Sequence, residues 1–278
     1  GVFVCNTQRD LKIEENYLRM MREVQPLGII YACNPSFSRQ VAELSGEIPV
    51  VVISNRDDEF SIDAVALNNQ KPGILMARHL LELGHRDVAF IAPPLTARQH
   101  QRQKRVGGFL MEFEKAGLSD HVLVRSAADS KDTEIPNIES EYRMGYDLTV
   151  ELLREGQPVT AIAALNDMMA FGAMDAMKAA GISYGVDGDV ILISFDACTA
   201  GLEYVMSGDI NADFECNPLA APFVEDVIQQ LESGSTPDKE VYMVEHWYVN
   251  EDILSSITVN GEEQELTVVT QEIVDAQY

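Results

Sequence analysis

Three polar features stand where side chains could hold a small polar molecule: Asn166-Asp167, Asp196, and the basic run Arg98, His100, Arg102, Lys104 and Arg105. Asn166-Asp167 follows the apolar run 159–165 (VTAIAAL) and precedes 168–180, a Met-rich stretch of helix formers broken only by Gly172. The first run has the length and composition of a strand buried on both faces, so the pair sits at a strand-to-helix turn. Ligands of open α/β sheets bind outside the carboxyl ends of the strands, which makes an amide and a carboxylate there candidates for ligand contact. The alternative is that one of them only caps the helix. Residues 189–195 form a second buried strand, and it too ends in a carboxylate, Asp196. Two βα units thus each deliver an acid at a strand's carboxyl end, which capping alone explains poorly. The basic run opens a helix over 98–116, an unfavourable place for positive charge and so a candidate for function. A solvated face is the competing reading, because Val106, Phe109, Leu110 and Phe113 already supply a buried stripe.

Catalytic constellations are missing from the sequence. It contains no GxSxG, HExxH, Walker loop or GxGxxG. His85 follows Gly84 at a helix end and reads as structural, while His100 and His246 have no recognisable partner. The chain therefore reads as a binder and not an enzyme. Cys5, Cys33, Cys198 and Cys216 form no CxxC pair and have no histidine at ligand spacing, so neither a metal nor a cofactor is expected. Cys5 and Cys33 adjoin apolar runs that suit buried thiols; spacing says nothing about pairing.

With 278 residues, 46% of them hydrophobic, the chain can build a large core in one or two lobes. No apolar run reaches the ~18 residues of a membrane span, and GVFVCNTQRD lacks the basic start and long apolar stretch of a leader. Net charge is -25, and residues 213–278 hold fifteen acids against the single Lys239. Such a chain repels nucleic acid by itself, so contact with DNA would need a separate basic domain.

The elements that position these residues follow from periodicity. Residues 2–5 read as a strand, Ile13, Tyr17, Leu18, Met21 and Val24 as a helix face, 27–31 as a strand, Phe37, Val41 and Leu44 as a short helix, and 48–53 as a β-branched strand. After a polar turn at 55–61 come a strand at 64–67, a helix at 73–83, a strand at 87–92, the helix 98–116, a strand at 121–125, a surface loop at 126–140 and a helix at 141–155. Beyond the central strands the pattern predicts a helix at 199–207, an extended segment at 209–214, a helix at 220–231, a strand at 241–249, and strands at 256–259 and 266–269 joined through Asn260-Gly261. Strands alternating with helices specify parallel sheets with helical crossovers.

The segments LLELGHRDVAFIAPPL, RVGGF, TAIAALNDMMAFGAMDAMKAAG and VILISFDA, in that order, resemble the ligand-binding core of the lactose- and galactose-repressor family over about residues 3–196. From about Thr199, GLEYVMSGDINADFECNPLAAP and LTVVTQEIVDAQY are more similar to sugar-binding proteins of bacterial ABC importers. The shared fold is the type I periplasmic-binding-protein fold, α/β with two Rossmann-like lobes, parallel sheets and a hinge. On this resemblance the lobes are residues 1–84 with about 217–244, and 85–214 with about 245–278. CNTQRDLKIEENYLRMM then matches the family's second strand and helix, so the first strand and helix are expected to be missing.

The resemblance implies a sugar or polyol bound between the lobes by Arg105, which forks onto hydroxyls, by Asp196, which accepts hydroxyl donors, and by Asn166-Asp167. Asn68 stands where many relatives carry Asp, Asn217 follows a position often held by Gln, and Phe195 either lies against a sugar ring or packs in the core. Two roles follow. The first is the effector-sensing core of a transcription regulator, cytoplasmic, a homodimer that meets DNA only through an additional N-terminal domain. The other is an extracytoplasmic importer protein, periplasmic or lipid-anchored, that partners a permease. In neither does the chain insert into a membrane.

Overall fold

The computed structural model describes residues 1–8, 10–32, 35–53, 62–66, 68–95, 100–128, 138–238 and 240–277. The expected polar turn at 55–61, most of the loop at 126–140, Cys33, Arg98 and Lys239 lie outside the described residues. The chain divides into two compact units, residues 1–68 with 217–244 and residues 69–216 with 245–278.

In the first unit, α1 (Leu11–Val24) starts where the Asp10 side chain accepts the amides of Lys12 and Ile13 and stops at Gln25, which is left-handed with φ 48° just before Pro26. Then come β1 (Ile29–Tyr31), α2 (Ser38–Leu44), β2 (Val50–Ile53) and β3 (Asp63–Ala66). With the later β9 they form a fully parallel sheet of order β1-β2-β3-β9. The β-branched run fills both faces by simple alternation: Val50 and Val52 pack with Leu18, Val41 and Leu44, while Val51 packs with Val65, Val224 and Val227. Residues 2–5, expected as a strand, are in no described ladder, and Val2, Phe3 and Val4 are 91%, 72% and 90% exposed. High β-propensity makes a strand only where a neighbouring edge receives it, and the described sheet has β1 at one edge and β9 at the other.

The second unit opens with α3 (Gln70–Glu82), which starts earlier than expected because Pro72 is tolerated in a first helical turn. It packs on α4 across a close crossing, so it belongs with this unit and the boundary falls at 68/69 instead of near 84. The unit continues through β4 (Val88–Ala92), α4 (His100–Lys115), a single 3-10 turn at 119–121, β5 (Val122–Ser126), α5 (Ile138–Arg154), β6 (Ala161–Ala164), α6 (Asp167–Ala180), β7 (Ile191–Asp196), α7 (Thr199–Ser207) and β8 (Ala212–Glu215). The chain then returns to the first unit for α8 (Ala221–Glu232) and β9 (Glu240–Tyr242), and crosses back for β10 (Trp247–Val249), β11 (Ser256–Val259), β12 (Glu262–Glu265), β13 (Thr267–Val268) and α9 (Gln271–Ala276). The seven-stranded sheet has order β13-β10-β8-β7-β6-β4-β5, parallel except where β10 runs against β8.

Three late expectations need correction. The apolar stretch 241–249 is two short strands in different sheets, because the chain changes units between Val244 and Glu245. The hairpin at Asn260-Gly261, both with positive φ, returns as the polar β12 and not as 266–269; β12 carries no buried face, so an apolar pattern could not reveal it. The helix α9, capped by Thr270, was not anticipated because it spans only one and a half turns' worth of pattern.

Candidate functional site

The topology fixes where a ligand would meet the second unit. From β4 the chain crosses through α4 to β5 on one side, while β6 lies on the other side of β4. Such a switch point leaves a crevice at the strands' carboxyl ends. Arg105 on α4 reaches across it. Its Nη1 donates to the Leu165 carbonyl just past β6 at 2.6 Å, its Nη2 donates to Asn69 Oδ1 at 2.7 Å, and its guanidinium carbon lies 3.1 Å from the centroid of the Phe195 ring. Arg105 is buried, and its Nε meets no acceptor among the described residues. Burial lowers its pKa to about 10, with Asp196, Cys216 and Glu245 opposing, so it remains a cation at neutral pH. On the same helix Val106, Phe109 and Phe113 are buried as the stripe predicted, but Leu110 is 37% exposed.

Asp196 and Glu245 act on this cation, and Glu141 acts on Asp196. Glu141 on α5 accepts Arg102 Nη2 at 2.7 Å through Oε1 and Asn166 Nδ2 at 2.5 Å through Oε2. Asn166 is also the N-cap of α6, its Oδ1 accepting the Met169 amide at 3.1 Å, so the capping reading and the polar-contact reading both hold for it. Asp196, at the end of β7, is only partly covered and has φ 128°, followed by Ala197 at 53°; both are conformations that residues other than glycine rarely hold. Burial and then the charge of Asp167 push the Asp196 carboxyl up to about 8, against the pull of Arg105. Glu245, partly buried where the chain re-enters this unit, is also pushed to about 8 by burial, and its Oε1 finds no donor among the described residues. Two carboxyls poised between acid and carboxylate beside a fixed guanidinium can each give or take a hydrogen bond. That is a fit for hydroxyl groups, which do both.

Two residues expected at the site face elsewhere. Asp167 is 2% exposed and points into the unit, accepting the Ser194 hydroxyl at 2.6 Å and the Cys198 amide at 2.9 Å, so it holds the turn after β7 and offers no free oxygen outward. Phe195 is 1% exposed, stacked on Phe214 at 5.6 Å with Arg105 over its ring, so it is core and acts through Arg105. Asn68 and Asn217 belong to the first unit. Asn68 is half-buried; Asn217 donates to the Val244 carbonyl at 2.9 Å and accepts the Leu219 amide at 2.8 Å, tying two chain crossings together. The thiols of Cys198 and Cys216 are both pushed to about 12 by burial first, and with the free Cys5 they are unbridged.

The raised acids imply a pH dependence. An acid with a folded pKa above its unfolded value binds a proton more tightly when folded, so stability falls as pH rises between the two values and levels off above the higher one. His79, buried and lowered to about 3, works the other way but only below its ordinary value near 6.5. From about 6.5 to about 8, therefore, urea unfolding of the ligand-free protein is expected to show stability declining by up to ~1.4 kcal/mol per pH unit for each proton held. Asp196→Asn and Glu245→Gln should each flatten that slope. A stability that is level or rising across this range would show that these carboxyls are ionised in the folded state.

Comparison with known proteins agrees with this architecture. The family model described as periplasmic binding proteins and sugar binding domain of LacI family matches residues 1–209. A transcriptional repressor PurR of the helix-turn-helix type from Glaesserella parasuis is 29% identical over 197 residues, covering 70% of this chain and 54% of that protein. The regulator DegA of Bacillus subtilis is 29% identical over 200 residues, covering 70% and 55%. The chain thus spans about half the length of the curated relatives it matches. Among solved structures, the periplasmic component of an arabinose ABC transporter from Shewanella sp. ANA-3 superposes with TM-score 0.70 at 22% identity, covering 87% of this chain and 80% of that one. A LacI family regulator from Enterococcus faecium with bound ribose gives 0.64 at 20%, covering 92% and 85%. These structural likenesses establish the fold, and the family match over three quarters of the sequence establishes the kinship: the chain belongs to the family of periplasmic binding proteins and LacI-type sugar-binding domains.

Proposed function

We propose that this chain binds a sugar or similar polyol without transforming it, as the effector-sensing core of a transcription regulator. The observation that carries the binding reading is the Arg105 guanidinium, pinned by Leu165 and Asn69, with an Nε that meets no acceptor among the described residues, beside Asp196 and Glu245. Arg105, Asp196, Asn166 and Glu141 are the groups proposed to meet the ligand in this unit, and Asn68 and Asn217 are proposed as ligand contacts of the first unit. A thermal-shift screen across monosaccharides and polyols is the test, with stabilisation by at least one of them expected. Stabilisation by nucleotides or divalent metal alone would overturn the reading.

The regulator role is supported by the curated relatives, which are repressors and regulators that share 29% identity over some 200 residues. In that role the chain is cytoplasmic, pairs with a second copy, and meets DNA only through another domain. The alternative, an extracytoplasmic protein that hands its ligand to an importer's permease, is favoured by one observation: the acidic end of the chain, fifteen acids against one lysine in residues 213–278. The residues encoded before Gly1 separate the two. A helix-turn-helix there supports the regulator, and a secretory leader supports the importer protein.

A further inference from the structure

Asp167 and Asp213 stand on α6 and β8, yet their carboxyls converge beneath the turn that carries Asp196. Asp167 already receives two donors, the Ser194 hydroxyl on Oδ1 and the Cys198 amide on Oδ2. Asp213, with no exposed surface, receives the Ala197 amide on Oδ1 at 3.2 Å, while its Oδ2 meets no donor among the described residues. A Cβ on Gly201 would stand 2.6 Å from Asp167 Oδ2 and 2.7 Å from Asp213 Oδ2, so both oxygens face the same gap, and α7 keeps a glycine there.

We propose that the two carboxyls share one proton, with Asp213 as the acid donating through Oδ2 to the Asp167 carboxylate, and that this pair fixes the 196–198 turn and so positions Asp196 for the ligand. Its bearing on ligand rests on the reading of Asp196 given under the proposed function. Two ionised carboxylates in a dry interior would repel, and the unpaired oxygen would remain unsatisfied. A single proton removes both problems. The assignment to Asp213 follows from donor count, since Asp167 has two donors to stabilise a negative charge and Asp213 has one. Burial, and next the Asp167 charge, raise the Asp213 pKa well above the carboxylate range.

Among the described residues, the groups named against the pair are Asp196 and the Cys198 thiol on the turn, Ser194 on β7 and Tyr248 on the neighbouring β10, none of them a cation, while Arg105 acts on Asp196. The turn itself is held in strained backbone, φ 128° and 53°, by the amides of Ala197 and Cys198 bound to the two acids, and by Gln277 Nε2 donating to the Ala197 carbonyl at 2.7 Å. Asp213 and Asp167 are positioning residues, acting on ligand through Asp196.

Carbon-13 spectra of the aspartate carboxyls test the pair in the ligand-free protein. At pH 7 Asp213 is expected to resonate as an acid and Asp167 as a carboxylate; both resonating as carboxylates would overturn the proposal. In Asp213→Asn the amide keeps a donor toward Asp167 and an acceptor for Ala197, so Asp196 should titrate at its parent midpoint. In Asp213→Ala the turn is released and that midpoint should fall by about one pH unit or more; an unmoved midpoint would refute positioning. Should the alanine variant fail to fold, the parent and D213N still decide. Ionising Asp213 at alkaline pH must produce a second step on the Asp196 curve of the parent that D213N lacks, and identical curves count against the proposal. With sugar present, D213N is expected within about twofold of the parent affinity and D213A weaker by about tenfold or more. A parent that binds no sugar would remove the functional reading, while the carboxyl spectra would still judge the pair.

Discussion

Gly108→Ala is expected to destabilise the protein by about 3 kcal/mol, whereas the same change one residue earlier, at Gly107, should stabilise it by about 0.5 to 1 kcal/mol. The two glycines share α4 and differ only in what their missing side chains would meet. A Cβ on Gly108 would stand 2.4 Å from the Gln70 carbonyl oxygen, and the reciprocal Cβ on Gly73 would stand 1.9 Å from the Arg105 carbonyl oxygen. Both obstacles are backbone, which cannot swing aside as a side-chain tip would. α3 and α4 must therefore separate, and the separation pulls Asn69 away from Arg105 Nη2. At Gly107 a Cβ meets nothing within 4 Å, so alanine only removes the conformational freedom of the unfolded chain. Urea unfolding of the two variants measures the contrast. Equal effects at both positions would mean that the α3–α4 crossing relaxes without cost. The same device recurs at α5 and α6, where a Cβ on Gly145 or Gly172 would meet the carbonyl oxygen of Met169 or Tyr142 at 2.2 and 2.1 Å.

What the sequence made legible was whatever depends on neighbours along the chain. The run 159–165 ends in a turn, Asn166 caps α6, β7 ends in Asp196, and α4 carries Arg105, all through local apolar patterning. Which of two consecutive residues faces outward was not legible. Asn166 sits in extended backbone as the cap while Asp167, one residue on, begins the helix and turns toward Ser194 and Cys198, a direction set by β7 and α7, 27 and more residues away. Glu141, Asn69 and Glu245 were missed for the same reason. Their polarity marks them as ordinary surface residues until Arg102, Arg105 and the chain crossing are brought beside them. Asn69, which accepts from Arg105, directly follows Asn68, which the sequence marks as a candidate ligand contact. The split of 241–249 into β9 and β10 was hidden because apolar patterning records burial and not which sheet does the burying.

Arg105→Lys is expected to lower sugar affinity by about five-fold to over a hundred-fold and also to weaken the fold by about 1 to 3 kcal/mol. A helix face pointing to solvent would predict the first effect alone. The structure adds the second, because Arg105 is buried and its two terminal nitrogens serve acceptors on different elements, Leu165 after β6 and Asn69 at the start of α3. A lysine ammonium keeps the charge but is a single point. It can sit near one of these oxygens or over the Phe195 ring, and the acceptor it abandons loses the hydrogen bond that Arg105 gives it. The planar cation over Phe195 is lost, and with it the Nε that meets no acceptor among the described residues. Calorimetric titration with a sugar that the parent binds, run beside urea unfolding, separates the two losses. Lys104→Ala is the control, an exposed member of the same basic run that should change neither. If Arg105→Lys weakened the fold but left affinity at the parent value, Arg105 would be a strut between β6 and α3, and the ligand contacts of this unit would fall to Asp196, Asn166 and Glu141.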